Sequence, residues 1–167
     1  MQSFESNFKG ADLELVKLIQ KSADVLKDGN ILVIDPGSNL AGYCYVEKLE
    51  IIDNGTIKPP PNRPISERLR YLTEFISERW PAVDAIAIEK IRASAAHHFL
   101  LWSVGASVAG PKTSRVYEIS TSAWQKYRDF SYRKTDAMDA KLMATFVIDC
   151  IRSTYVTDGS IGPKKKV

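Results

Sequence analysis

Four acids stand where their types and spacing could support metal chemistry. Asp35 directly follows Val33-Ile34, and Glu89 directly follows Ile86-Ala87-Ile88, so each closes a short apolar run. Asp136 and Asp139 lie three apart in Lys134-Thr135-Asp136-Ala137-Met138-Asp139-Ala140, and residues three apart on a helix share a face. An acid that ends a buried strand faces a low-dielectric rim, where an unpaired carboxylate is costly and needs a cation, a hydrogen-bond network or a shifted pKa. Singly, each acid has a plainer role. An Asp before Pro36-Gly37 can bond turn amides. Acids in the first turn of a helix favour its dipole by a few tenths to about 1 kcal/mol. Together the four offer only hard oxygen donors, which select Mg²⁺ or Mn²⁺ over Zn²⁺. A pair of Mg²⁺ ions roughly 4 Å apart would activate a water and stabilise the leaving 3′ oxygen in phosphodiester cleavage, with Mn²⁺ able to substitute.

A second constellation precedes the acidic pair. Between Thr121 and Thr135 the cations Lys126, Arg128, Arg133 and Lys134 face one acid, Asp129, and alternate with the rings of Trp124, Tyr127, Phe130 and Tyr132. Cations that meet phosphates, beside rings that stack on bases, suit a nucleic-acid surface. A solvated helix-and-loop face with some rings buried is the plainer alternative. Arg92, three residues past Glu89, is a further phosphate candidate.

The elements that would position these groups can be read from periodicity and breakers. Residues 1–10 are expected to be a frayed end. Leu15, Leu18, Ile19 and Leu26 recur at helical spacing within Ala11–Lys27, and Asp28-Gly29-Asn30 stops that helix. Ile31–Ile34 is a short, continuous apolar run rich in β-branched residues, as in a strand covered on both faces. Strands at about 41–47 and 49–57 should form an antiparallel meander with it, and Lys58–Pro64 is too Pro-rich to extend a sheet. Ile65, Leu69, Leu72 and Ile76 mark an amphipathic helix that Pro81 ends. Ala82–Ile88 reads as a second central strand, Ser94 to about Ala109 as a helix, and Arg115–Ile119 as a strand. Ser120 or Thr121 can cap a short helix holding Trp124, and a last helix is predicted from near Thr135 to about Cys150. The pattern describes an α/β domain, a mixed sheet of about five strands flanked by helices, with an added N-terminal helix. In such sheets functional groups gather beyond the carboxyl ends of parallel strands, where Asp35 and Glu89 fall.

Size and composition agree with one domain. The chain has 167 residues, 44% hydrophobic and 26% charged, with a net charge of +3. The expected division is an N-terminal extension over 1–30, a nuclease domain over 31–152 and an irregular tail over 153–167. No apolar run approaches the roughly 20 residues of a membrane span, and no secretory signal is expected in the opening residues. Cys44 and Cys150 lack CxxC spacing, so neither a disulfide framework nor a zinc-thiolate site is expected, and the cytoplasm is the expected compartment.

At the acidic residues a family resemblance becomes visible. Ile34-Asp35-Pro36-Gly37-Ser38 with Gly42-Tyr43 resembles the opening motif of RuvC-type resolvases of the ribonuclease H-like superfamily. Ala87-Ile88-Glu89 resembles their second motif, and the segment from Lys134 to Ala140 their closing acidic helix; the resemblance covers roughly residues 31–149. It implies a ribonuclease H-like fold, a homodimer, and Mg²⁺-dependent symmetric nicking of four-way (Holliday) DNA junctions, with Asp35, Glu89, Asp136 and Asp139 as metal-binding catalytic acids. The chain departs from the pattern in three places. It carries about 30 residues before the first strand, it has Arg92 where many members place an aromatic wedge, and it has a shorter segment before the acidic helix. These departures suit a divergent, phage-encoded member.

Competing readings keep the chemistry and change the substrate to RNA, RNA–DNA hybrid or flapped DNA, or keep the fold as a non-catalytic binder of branched DNA. An actin-like nucleotide-binding protein would need two such domains, for which the chain is too short. His97 and His98 fall on a predicted helix rich in small residues and are expected at a surface or subunit contact. Gly105–Thr113 imitates a phosphate-binding loop, but its order is helix, loop, strand rather than strand, loop, helix. Lys164-Lys165-Lys166 is at most a weak phosphate-attracting end.

Overall fold

The structure is a computed structural model that describes residues 3–36, 40–90 and 115–156. Its centre is β1 (Asn30–Asp35), whose residues Ile31 to Ile34 are buried on both faces. Because successive strand side chains point to opposite faces, this one run feeds two cores. Ile31 and Val33 enter one apolar cluster, and Leu32 and Ile34 enter the other. A fully buried aliphatic side chain of this kind contributes about 1.5–3 kcal/mol relative to an exposed one.

The sheet has five strands in the order β3-β2-β1-β4-β5, with β2 at Ala41–Glu47, β3 at Glu50–Ile57, β4 at Ala85–Glu89 and β5 at Val116–Ile119. The first three strands form the expected antiparallel meander, whereas β4 lies parallel to β1 and β5 parallel to β4. Lys48 and Leu49 make the tight β2–β3 connection with φ of 48° and 64°, the left-handed pairing that matches hairpin twist. Neither is a glycine. Burial of Leu49 in the core and a bond from the Lys48 amide to the Gly29 carbonyl (3.1 Å) offset the strain.

Helix α3 (Ile65–Arg79) covers the Leu32/Ile34 face through Leu69, Leu72 and Ile76. The other face carries α1 (Gly10–Lys21), α2 (Ala23–Leu26), the short α4 (Thr121–Trp124) and the long α5 (Asp136–Val156). Four boundaries differ from expectation, the first being β4, which begins at Ala85 rather than Ala82. The helix predicted over Ala11–Lys27 divides at Ser22, whose ψ of 12° leaves the helical region and lets Ala23 and Leu26 bury. The expected frayed end is folded: Phe4–Asn7 form a 3₁₀ turn and Phe8 is buried with its ring edge-on to Phe146 at 5.5 Å. Finally, α5 continues six residues past Cys150, because Val147, Ile151 and Tyr155 prolong the buried stripe at four-residue spacing.

Cys44 and Cys150 are both buried and free. Among the described residues no helix is long and apolar enough to cross a membrane. Gly37, Ser38, Arg92, His97, His98, the helix predicted over 94–109, the loop-like Gly105–Thr113 and the C-terminal lysines lie outside the described residues.

Candidate metal centre

Two of the four acids are delivered by parallel neighbours. β1 and β4 run side by side with Ile34 paired to Ile88, so Asp35 and Glu89, one residue further, emerge together at the carboxyl edge of the sheet. The other two arrive on α5, whose start is fastened to β2. Gly42, the register partner of Asp35, lies against the Asp136 backbone: a β-carbon there would sit 1.9 Å from the Asp136 carbonyl oxygen. Asn54 on β3 ties the same turn down, donating from Nδ2 to the Tyr43 carbonyl (2.8 Å) and to the Ala137 carbonyl (2.9 Å). Thr135 caps the helix as expected, its Oγ1 accepting from the Met138 amide at 3.1 Å.

Asp35, Glu89, Asp136 and Asp139 consequently line one open cleft of about 440 Å³. Asp35 is only 6% exposed and Asp139 7%, and they are the buried charged residues of the described chain. Burial holds the Asp35 carboxyl far above the usual carboxylate range, and hydrogen-bonding and charge contacts with Glu89 and Asp136 push it further the same way. Burial also raises Asp139, against the pull of the Tyr132 hydroxyl, which donates to Asp139 Oδ1 at 2.6 Å, and of Arg128. Glu89 accepts from Thr121 Oγ1 at 3.1 Å. Among the described residues no three acidic, histidine or cysteine side chains enclose a single point as a finished cage. The carboxylates form the walls of a cleft instead.

The predicted cations divide. Arg128 and Lys134 line the cleft, and Arg128 lies over the rings of Trp124 (4.9 Å) and Tyr132 (4.6 Å). Arg133 bonds the Tyr132 carbonyl at 2.9 Å. Lys126 points elsewhere: its ammonium sits 4.0 Å from the Phe8 ring centre and bonds the Asn7 carbonyl, so it packs on the N-terminal segment. Of the four rings, Trp124 is buried in the cleft wall, Tyr127 bonds Asp149 at 2.7 Å, and Phe130 is 98% exposed. Thr121, Asn54 and the hydroxyl of Tyr132 were not foreseen as site residues. Their partners lie 7 to 83 positions away along the chain, which no local motif encodes.

The five-stranded mixed sheet flanked by helices is the ribonuclease H-like fold in its RuvC form. The structure of T. thermophilus RuvC in complex with a Holliday junction substrate matches with a TM-score of 0.51 and 16% identity, covering 80% of this chain and 98% of that one. A second Thermus thermophilus RuvC structure matches with the same TM-score, 17% identity, and coverage of 80% and 99%. In sequence, 67 residues are 45% identical to crossover junction endodeoxyribonuclease RuvC of Cupriavidus taiwanensis and 43% identical to that of Cupriavidus necator. Each match spans 36% of this chain and 37% of the relative. No family model matches the chain. The resemblance read from the acidic motifs is thus supported independently by sequence and by fold.

Proposed function

We propose that this chain is a divalent-metal-dependent endonuclease that resolves four-way DNA junctions by paired, symmetric nicks. One observation carries the reading: in a RuvC-like fold, two strand-end acids and two acids of one helix turn face the same cleft. The donor set fits Mg²⁺. Its groups are all carboxylate oxygens, and a bound divalent cation would offset both the burial that favours a proton on Asp35 and the added repulsion from Glu89 and Asp136. Mg²⁺ binds through a few carboxylates while keeping waters and taking phosphate oxygens, so cleft walls suit it better than a closed cage would. Asp35, Glu89, Asp136 and Asp139 would hold the ions, two per site, with Mn²⁺ able to replace them. When bound, the ions would supply an activated water and stabilise the leaving 3′ oxygen.

The protein's own groups do the rest. Lys134 and Arg128 on the cleft wall would bind the phosphates flanking the cut bond, and Arg133 the backbone beyond it. Tyr132 and Thr121 orient Asp139 and Glu89 through the hydroxyl bonds described above. Arg92, on the segment following Glu89, is assigned a phosphate contact, and Lys126 a peripheral one. Paired nicks on opposite strands require two clefts, hence a homodimer, acting in the cytoplasm of a bacterial or phage-infected cell.

The test is to incubate the chain with a mobile four-way junction, linear duplex, flap and RNA–DNA hybrid, with and without Mg²⁺, and to map the nicks. Symmetric Mg²⁺-dependent nicks in the junction alone are expected. Equal cutting of linear duplex would remove the resolvase assignment and leave a less selective nuclease.

A further inference from the structure

Helix α1 reaches toward the cleft without lining it. Asp12, in its first turn, accepts hydrogen bonds from the hydroxyls of Ser120 and Ser122, the latter at 2.6 Å, across 108 and 110 positions of sequence. Ser120 stands at the N-cap of α4, where a serine hydroxyl ordinarily bonds its own helix's amides, yet it makes no such bond. Both serines turn to Asp12 instead. Thr121, between them, donates to Glu89 Oε1 at 3.1 Å. The Glu89 main chain is already set by the sheet, where it pairs with Ile119 and the Lys90 amide bonds the Ile119 carbonyl at 2.7 Å. What the sheet leaves free is the direction of the Glu89 carboxylate, which is held between the Thr121 hydroxyl and the Asp35 carboxyl.

We propose that Asp12 is a positioning residue for the metal centre: by clamping Ser120 and Ser122 it fixes Thr121 so that the Thr121 hydroxyl orients Glu89 for a divalent cation. The proposal rests on the nuclease reading above. It gives the N-terminal helix a share in the site, although Asp12 touches neither the cleft nor a substrate. A local helix cap has been exchanged for a long-range contact, and its effect falls on one carboxylate.

The experiment uses the full chain carrying Asp12→Ala and Thr121→Val, singly and together, with Asp12→Asn and Thr121→Ser as conservative partners. Mn²⁺ binding is measured by calorimetry, and junction cutting is followed against Mg²⁺ concentration. Each single disruptive change is expected to weaken Mn²⁺ binding about tenfold, the scale of groups that stand behind metal ligands. It should also raise the Mg²⁺ needed for half-maximal cutting, while junction affinity stays as in the parent. The double variant is expected to be no worse than Thr121→Val alone, since both changes act through one hydroxyl. Thr121→Ser should restore binding. Should Asp12→Ala fail to fold, Asp12→Asn, which keeps one acceptor oxygen, carries the same comparison with a smaller loss. Parent-like Mn²⁺ affinity in the Asp12 variants, or losses that simply multiply in the double variant, would overturn the positioning role alone. A parent chain that neither binds Mn²⁺ nor cuts a junction would overturn the nuclease reading, and this role with it.

Discussion

Gly42 and Asp136 meet backbone to backbone, closer than any side chain on the glycine would permit: an added β-carbon would lie 1.9 Å from the Asp136 carbonyl oxygen and 2.2 Å from its carbon. Gly42 also pairs with Asp35 across the β1–β2 ladder. A single residue without a side chain therefore brings a strand acid and a helix acid to the same place.

Gly42→Ala must push the start of α5 off the sheet. Overpacking of this kind costs about 1–3 kcal/mol, so urea unfolding of the variant should shift to lower midpoint with an unchanged slope. Junction cutting is expected to fall far more than stability does. A variant that retains full cutting would show that the approach of Asp136 to β2 is not needed.

Asp35 makes the metal-free chain sensitive to pH. Its carboxyl is raised in the folded state, so folding takes up a proton that the unfolded chain, with an ordinary carboxylate near pKa 3.9, does not hold at neutral pH. The resulting stability is fully present below the unfolded value and is lost as pH rises toward the folded one. Asp139 is raised by burial and adds in the same direction. Thermal unfolding in a chelator should therefore give a lower midpoint at pH 8 than at pH 6, and Asp35→Asn should flatten that slope while abolishing cleavage. An unchanged slope in Asp35→Asn would assign the dependence to other groups.

Tyr132→Phe deletes the hydroxyl that donates to Asp139 at 2.6 Å. The fold should lose about 0.5–1.5 kcal/mol, the usual net worth of one hydrogen bond. That bond favours the charged form of Asp139, so its loss raises the carboxyl further and the acid limb of the cleavage–pH profile should move to higher pH. A profile that keeps its position while the rate falls would point to positioning rather than to charge.

Phe130 is 98% exposed between cleft residues Arg128 and Tyr132, so it has little to contribute to the fold. Phe130→Ala should leave the unfolding midpoint within about 0.5 kcal/mol of the parent. Stacking of one base on an aromatic ring is worth about 1–3 kcal/mol, so affinity for branched DNA should drop roughly tenfold in fluorescence anisotropy if Phe130 meets an unpaired base. Equal affinities would leave the ring outside the binding surface.

The legible parts of this molecule were those written in short-range pattern. The apolar run at Ile31–Ile34, the breakers Pro36 and Pro81, and the Thr135 cap place β1, the end of α3 and the start of α5 to within a residue or two. Acids adjoining those elements could be found for the same reason, because strand ends and first helical turns have fixed addresses in space. What escaped was long-range. Phe8 reads as part of a loose end until Phe146 is known to lie beside it, and the packing of Lys126 on the Phe8 ring cannot be read from either segment alone. Ser120 has the composition of a cap, yet its hydroxyl serves a carboxylate more than a hundred positions away. The extra turn and a half of α5 was missed because Arg152, Ser153 and Thr154 look like a polar stop, although Ile151 and Tyr155 keep the inner face apolar.

Asp136 and Asp139 ride on one 21-residue rod, about 30 Å long, whose far end is pinned where the Tyr155 hydroxyl meets Asp24 on α2. Such a rod translates or rotates as a unit, so the two acids keep their mutual spacing under any load and lose register with Asp35 and Glu89 simultaneously. Because the rod's near end is fastened to the sheet at Gly42 and Asn54, loosening those two contacts would disengage the centre by halves, two ligands at a stroke, where a site built on independent loops would shed them one by one.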